Sequence, residues 1–174
     1  DAGNLTYKKS RRGDAEVDRA FAHVLKHAGD GDTVIDFFPY GYDERQFCSP
    51  GFDLPIGCVM RTPHGQYPQY HTSADDLGFV QPRTLADSLA KCLEALHVLE
   101  SNNAYLNQNS KCEPQLGKRG LYRAIGGQTD GRVNALAMLW VLNLSDGRHS
   151  LLDIAERSGL AFSPIKNAAD ALVQ

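Results

Sequence analysis

Cysteine is scarce in this chain of 174 residues: Cys48, Cys58, Cys92 and Cys112 are widely spaced, with no C-x-x-C pair. That spacing excludes a zinc knuckle built on close cysteine pairs. It fits reduced thiols in a cytosolic setting better than a disulfide framework. Neither sign of charge dominates. Eighteen Lys and Arg face 21 Asp and Glu, a formal net charge of -3, so nothing electrostatic calls for tight binding to nucleic acid or a membrane surface. No apolar run approaches the roughly 20 residues that cross a bilayer. No signal peptide opens the chain, and there is no internal repeat or low-complexity tract. The chain begins at Asp1 without methionine and closes on the apolar run Ala171-Leu172-Val173; both ends read as cut. What remains is an ordinary globular composition, 42% hydrophobic and 22% charged, long enough for one domain or two small ones.

Residues 15–28 carry Val17, Ala20, Phe21, Val24, Leu25 and Ala28 at helical spacing, with Asp14 as a candidate cap and Gly29-Asp30-Gly31-Asp32 as the stop. The β-branched and aromatic run Thr33 to Phe38 then reads as a strand. Helix followed by strand implies an α/β layer arrangement. Glycine and proline breaks make 39–57 a long irregular loop, Cys58 to Arg61 a short strand, and Thr62 to Tyr70 a second loop. Long loops inside a compact domain are more often functional than idle. In 85–100, Leu85, Leu89, Cys92, Leu93, Leu96 and Leu99 form one apolar stripe behind Thr84 as cap. The Asn- and Gln-rich stretch 101–111 reads as a connection, placing a domain boundary within 101–132.

Chemistry concentrates between Tyr40 and Asp76. Asp43, Glu44 and Arg45 share one loop, and His71, Asp75 and Asp76 share the next. Histidine is the commonest zinc ligand, and a ligating ring needs a partner for its second nitrogen. Asp75, four residues beyond His71, is close enough in sequence to serve. The plainer reading is a surface histidine beside a solvated turn, with His64 at a loop tip.

The strings GYDERQFCSPGFDLPIGCVMR and YPQYHTSADD resemble the distal part of the zinc-dependent aminopeptidase family. Asp43 and Phe47 fit its S-D-H-x-x-F-type loop, Pro55-Ile56 its G-I-P strand, and His71 with Asp75 its tyrosine-histidine-threonine segment. A fuller resemblance is to a bacterial subgroup of aminopeptidase-like proteins associated with polysaccharide biosynthesis. That subgroup shares YKKSRRG, DERQFCSPG, YHTSADD and, ahead of a C-terminal winged helix, LGKRGLY. The resemblance spans nearly the whole chain. It implies the C-terminal part of a phosphorylase/hydrolase-like α/β domain over 1–110, followed by a small winged-helix module over 111–174.

Carried over residue by residue, the resemblance makes His71 the last metal ligand and Asp1 a ligand of one metal. Asp75 then orients the ligand or its loop, Asp43 shapes the site, and Tyr70 and Arg45 contact substrate. Glu44 stands where the wider family often has histidine, so no role transfers to it. The implied cofactor is zinc, one or two ions in a full-length protein. Two ions about 3.5 to 4 Å apart would polarise a scissile carbonyl and acidify a bridging water. The family's upstream histidine, bridging aspartate and glutamate pair have no counterpart here, so this stretch alone does not hold the full site. The implied reaction is hydrolysis of a small peptide or amide beside a free amine, in the cytoplasm, with a homo-oligomer as a possible assembly. The alternatives are acyl transfer, as in glutaminyl cyclases of similar fold, and a non-catalytic scaffold or regulator with an inactive peptidase-like domain.

Toward the C-terminus, Val133 to Leu144 reads as an apolar helix around Trp140. Ser150 to Ser158 is a helix capped by Ser150 and Asp153, and a third helix opens at Ser163-Pro164. Ala155, Gly159 and Ile165 have helix-turn-helix spacing. The last helix offers one cation, Lys166, against Asp170, too little to neutralise phosphates. Nucleic acid is therefore not an expected partner.

Overall fold

A computed structural model describes residues 3–121 and 129–173, the side chains of 129–134 excepted. The chain divides into two compact units, 1–99 and 100–174.

Strand β1 (Thr6–Lys8) is the centre of the first unit. It pairs in parallel with β2 (Thr33–Ile35) after a crossover through helix α1 (Glu16–Ala28), and antiparallel with β3 (Cys58–Met60) on its other edge. All three β1 residues are buried. Alternation along a strand sends Tyr7 to one face and Thr6 and Lys8 to the other. On the first face Tyr7 stacks on Phe21 of α1 at 4.5 Å and joins Leu5 and Leu25 in the core, with Val34 and Val59 packed against them. Gly57 must lack a side chain here, because a Cβ would lie 2.0 Å from the Tyr7 hydroxyl.

Helix α1 begins one residue later than the cap at Asp14 would place it, with Ala15 at the N-cap. Asp18 takes over the capping role from inside the first turn. Its buried carboxylate accepts from the Ala15 backbone (3.1 Å), the Ser10 backbone (2.7 Å), the Ser10 hydroxyl (2.5 Å) and the Tyr7 hydroxyl (2.8 Å). One side chain thus joins β1, the following turn and α1. Burial, and then this bond, push the Tyr7 phenol well above its ordinary pKa. Gly29 ends α1 in the left-handed conformation, φ 73°, which glycine adopts without the cost of a Cβ.

On the opposite face Lys8 is buried with Glu44. Its ammonium donates to Glu44 Oε1 (2.6 Å) and the Tyr40 carbonyl (2.7 Å) and lies 4.6 Å from the centre of the Phe38 ring. The span 39–57, expected to be irregular, therefore carries a short helix, α2 (Asp43–Phe47). Its buried residue is Glu44, facing a cation that no local pattern announces. Cys48, also buried, donates its thiol to the Leu54 and Ile56 carbonyls at 3.3 Å each.

Helix α3 (Pro82–Ser101) starts ahead of Thr84, whose hydroxyl donates back to the Gln81 carbonyl instead of capping. Its leucine stripe is a second departure from expectation: Leu85, Leu89, Leu93 and Leu96 are exposed.

The second unit starts earlier than residue 111. Residues 104–106, expected within a polar connection, form β4 (Ala104–Leu106), antiparallel to β5 (Asp146–Ser150). Helices α4 (Thr129–Leu144), α5 (Leu151–Ser158) and α6 (Phe162–Val173) complete a winged-helix arrangement. Ser150 and Asp153 form the expected capping box, and Gly159 closes α5 at φ 71°. Leu151, Leu152, Ile154, Ala155, Phe162 and Ile165 are fully or nearly fully buried. Trp140 is half-buried, and among the described side chains of α4 the core positions are Ala137 and Val141.

Asp18→Ala strands four donors and should cost at least about 3 kcal/mol in denaturant unfolding; a cost under about 1 kcal/mol would contradict the role of Asp18. For Glu44, burial raises the pKa, but the bonds from Lys8 and the backbone override it and leave it below the ordinary value. The pair's contribution is therefore complete above the ordinary glutamate pKa and is lost as pH falls through the lowered one. Glu44→Gln should cost about 3 kcal/mol at neutral pH and flatten the acid limb of stability against pH.

Candidate functional site

Two loops of the first unit carry the residues singled out by sequence, and a pair of tyrosines joins them. The hydroxyls of Tyr42, at the N-cap of α2, and Tyr70 lie 2.8 Å apart. Tyr42 is in turn fixed from below, its backbone N–H donating to Glu44 Oε2 at 3.1 Å. Gly41 allows this close approach, because a Cβ there would stand 1.8 Å from Glu44 Oε1. Glu44, to which the resemblance assigned nothing, is thus the buried post on which the first loop stands.

Around the tyrosine pair lies an aromatic cluster. His64 sits at the loop tip expected of it, in the turn closed by the Gln66 N–H on the Pro63 carbonyl (3.0 Å), yet it is half-buried there and meets Tyr42 edge-on at 5.2 Å. Tyr67 packs edge-on against Tyr70 at 5.4 Å and stacks with Phe79 at 5.5 Å. His71 stacks on Tyr70, ring centroids 4.0 Å apart. The backbone of His71 is left-handed, φ 58°, which costs a non-glycine residue about 1 kcal/mol. Its ring is exposed, and its nitrogens have no hydrogen-bond partner among the described residues. The next turns are closed locally: the Thr72 hydroxyl donates to the Gln69 carbonyl, and Asp76 accepts from the backbone of Gly78 and Phe79.

The remaining sequence-derived positions fall as follows. Asp43 and Arg45 are exposed on α2. Asp75 is exposed, its backbone N–H donating to the Thr72 carbonyl, and no bond joins it to the His71 ring. Asp1 lies outside the described residues. Among the described residues, no group of three or more His, Cys, Asp or Glu side chains could hold a metal ion. No described helix is long and apolar enough to cross a membrane.

Within the tyrosine pair, the Tyr70 phenol is perturbed by its partner. The hydrogen bond with Tyr42, helped by partial desolvation, pushes its phenol up to about 12, so it stays protonated at neutral pH. Two of the strings that define the resemblance also meet in space. Arg11 and Arg12 of YKKSRRG bind Asp53, just beyond DERQFCSPG, with Arg11 Nη2 2.6 Å from its carboxylate and Arg12 Nη2 2.7 Å from its carbonyl. The aromatic cluster and the Lys8–Glu44 post escaped sequence reasoning, although the density of tyrosines between 40 and 70 was a visible signal. In the second unit, a cavity of about 730 Å³ between β4, α4 and the end of α6 is lined by none of the candidate residues.

Comparison with known proteins places these features. A curated Clostridium acetobutylicum protein, described as "putative polysaccharide biosynthesis protein with aminopeptidase-like domain", is 55% identical over 172 residues. The match covers 99% of this chain and 39% of that protein, so the chain spans about two fifths of the relative's length. A crystal structure described as a "putative peptidase" from Clostridium acetobutylicum superposes with a TM-score of 0.89 at 50% identity, covering 99% of this chain and 38% of that one. The α/β fold with a winged-helix module is therefore one found in proteins described as peptidase-like. Residues 103–174 match a winged helix-turn-helix family, and through residues 1–102 the chain belongs to the family described as a domain of unknown function, DUF4910.

Proposed function

We propose that this chain supplies the distal part of a zinc-dependent, aminopeptidase-like hydrolase that cleaves a peptide or amide bond beside a free amine. His71 carries the reading. It is a non-glycine residue held in a left-handed backbone, its ring laid on Tyr70 and its nitrogens unbonded among the described residues. Strain of this kind persists where the surroundings over-determine it, and it gathers at functional sites. The descriptions of the two Clostridium acetobutylicum proteins support the class of activity.

The imidazole of His71 fits one position of a zinc ligand set. The other ligands would come from outside the described residues, where Asp1 also lies. When bound, zinc would polarise the scissile carbonyl and acidify a water. The chain's own residues would hold and present. Stacking on Tyr70 fixes the plane of the His71 ring. The protonated Tyr70 hydroxyl can donate to a substrate oxygen. Arg45 and Asp43, both in solvent on α2, can meet the charged ends of a small peptide. Asp75 would steady the ligand loop. The cytoplasm is the proposed location. In the second unit, the single cation of α6, Lys166, is bound to Asp170 at 2.6 Å, which favours packing or protein contact over DNA reading.

The test is made on the longer gene product that contains this chain, by zinc content and by release from a panel of aminoacyl amides. His71→Gly should lose zinc and hydrolysis while unfolding free energy stays within about 1 kcal/mol, because glycine relieves the left-handed backbone. Asp75→Asn should lower activity by about 10- to 100-fold. Unchanged zinc stoichiometry in His71→Gly would contradict the assignment, and a transferred or cyclised acyl product in place of free amino acid would assign the site to acyl transfer.

A further inference from the structure

Helix α3 is inside out. The residues it buries are Thr84, Lys91, Ala95 and Val98, and what anchors it is charge. The Lys91 ammonium, in a side chain 6% exposed, reaches Asp32 (2.6 Å), Asp87 (3.0 Å) and Asp30 (3.1 Å). Arg61, beyond β3, binds the same Asp87 carboxylate and donates to the Thr84 carbonyl (2.7 Å) and the Ser88 hydroxyl (3.1 Å). The leucines face the other way. Leu85 and Leu89 are 60% exposed, Leu93 55% and Leu96 54%, with Cys92 and Leu99 half-buried beside them.

A helix at a protein surface normally turns its apolar stripe inward and its charges to water. Here the arrangement is reversed, and the stripe is regular. Positions 85, 89, 92, 96 and 99 step by four, three, four and three, the rhythm of a seam that lies along another element. A contiguous exposed patch of this kind marks an interaction surface.

Three observations name the occupant. The chain matches a relative more than twice its length along 99% of its own sequence. The family match, 1–102, extends to the end of α3, so the seam belongs to the family's own domain. Among the described residues, the sheet of the first unit has three strands of three residues, with β2 and β3 at its edges. A second copy of the chain could cover the seam but would leave the sheet a fragment. Further α/β polypeptide of the same domain would cover the seam and extend the sheet.

We infer that the outer face of α3, Leu85, Leu89, Cys92, Leu93 and Leu96, is the seat of the remaining polypeptide of a longer aminopeptidase-like domain, docked along the seam. This shares with the functional reading the premise of a longer protein and none of its chemistry.

Two measurements test it. With N-ethylmaleimide, Cys92 should react in the folded 174-residue chain and at least about 10-fold more slowly in the longer gene product, each rate taken relative to the unfolded protein. The paired substitution Leu89→Glu with Leu93→Glu should lower Tm in the longer product by at least about 5 °C, yet move the 174-residue chain by no more than about 1 °C, its leucines being already in water. Equal Cys92 rates in the two proteins, or equal Tm shifts, would overturn the assignment. So would a 174-residue chain that sediments as a dimer and becomes monomeric on the paired substitution while the longer product is unaffected; the occupant would then be a second copy. If the paired variant of the longer product does not fold, the Cys92 rates decide. No arm reads hydrolysis: an inactive protein with a shielded Cys92 removes only the functional reading, and an active one with a reactive Cys92 removes only this one.

Discussion

A buried ion pair between Lys8 and Glu44 sets the position of the loop that carries Tyr42 and, through it, of Tyr70 and His71. Two charges removed from water are tolerated only when their geometry is good and their remaining valences are met. Here the ammonium also donates to the Tyr40 carbonyl and lies against the Phe38 ring, while the carboxylate's second oxygen accepts from the Tyr42 N–H. The chain from 37 to 44 has little choice but to wrap around the end of β1. That fixes Tyr42, whose hydroxyl fixes Tyr70, on which the ring of His71 lies. The relay runs from a strand residue in the middle of the sheet to an imidazole at the surface in four contacts.

The two units solve the problem of stability differently. The winged-helix unit closes on itself, with a capped α5 and a run of buried aliphatics from Leu151 to Ala169. The first unit buries a small apolar cluster around Leu5, Tyr7 and Leu25 and otherwise relies on enclosed charge: Asp18 with its four donors, Lys8 with Glu44, and Lys91 among three aspartates. A unit that encloses lysines and wets leucines is organised like one layer of a larger assembly. Its acidic and basic side chains set angles and registers, and apolar area remains for a neighbouring layer to cover.

What was legible in the sequence was local. The period of α1, the β-branched run of β2 and the Ser150–Asp153 box each rest on residues a few positions apart, and each was found in place, although β2 stops at Ile35 and leaves out the Asp36 to Phe38 end of the expected strand. The two loops were marked by their glycines and polar residues, and Tyr70 and His71 do lie side by side. Contacts across the chain were not legible. Nothing near Lys8 says that it will be buried by a glutamate 36 residues away, so α2 read as irregular loop. The Asn- and Gln-rich stretch before residue 111 hid β4, because a strand of three residues has almost no period to detect. The α3 stripe was visible, but periodicity reports which residues share a face and not whether that face points inward.

The relay from Lys8 to His71 is tested most directly by backbone hydrogen exchange on Lys8→Met, which keeps the length of the side chain and removes its charge. Protection should fall across residues 42–48 and at Tyr70, while the Thr33 amide, bonded to the Leu5 carbonyl at 2.9 Å, and the winged-helix amides keep theirs. Unchanged protection at residues 42–48 and Tyr70 in a folded Lys8→Met protein would contradict the relay.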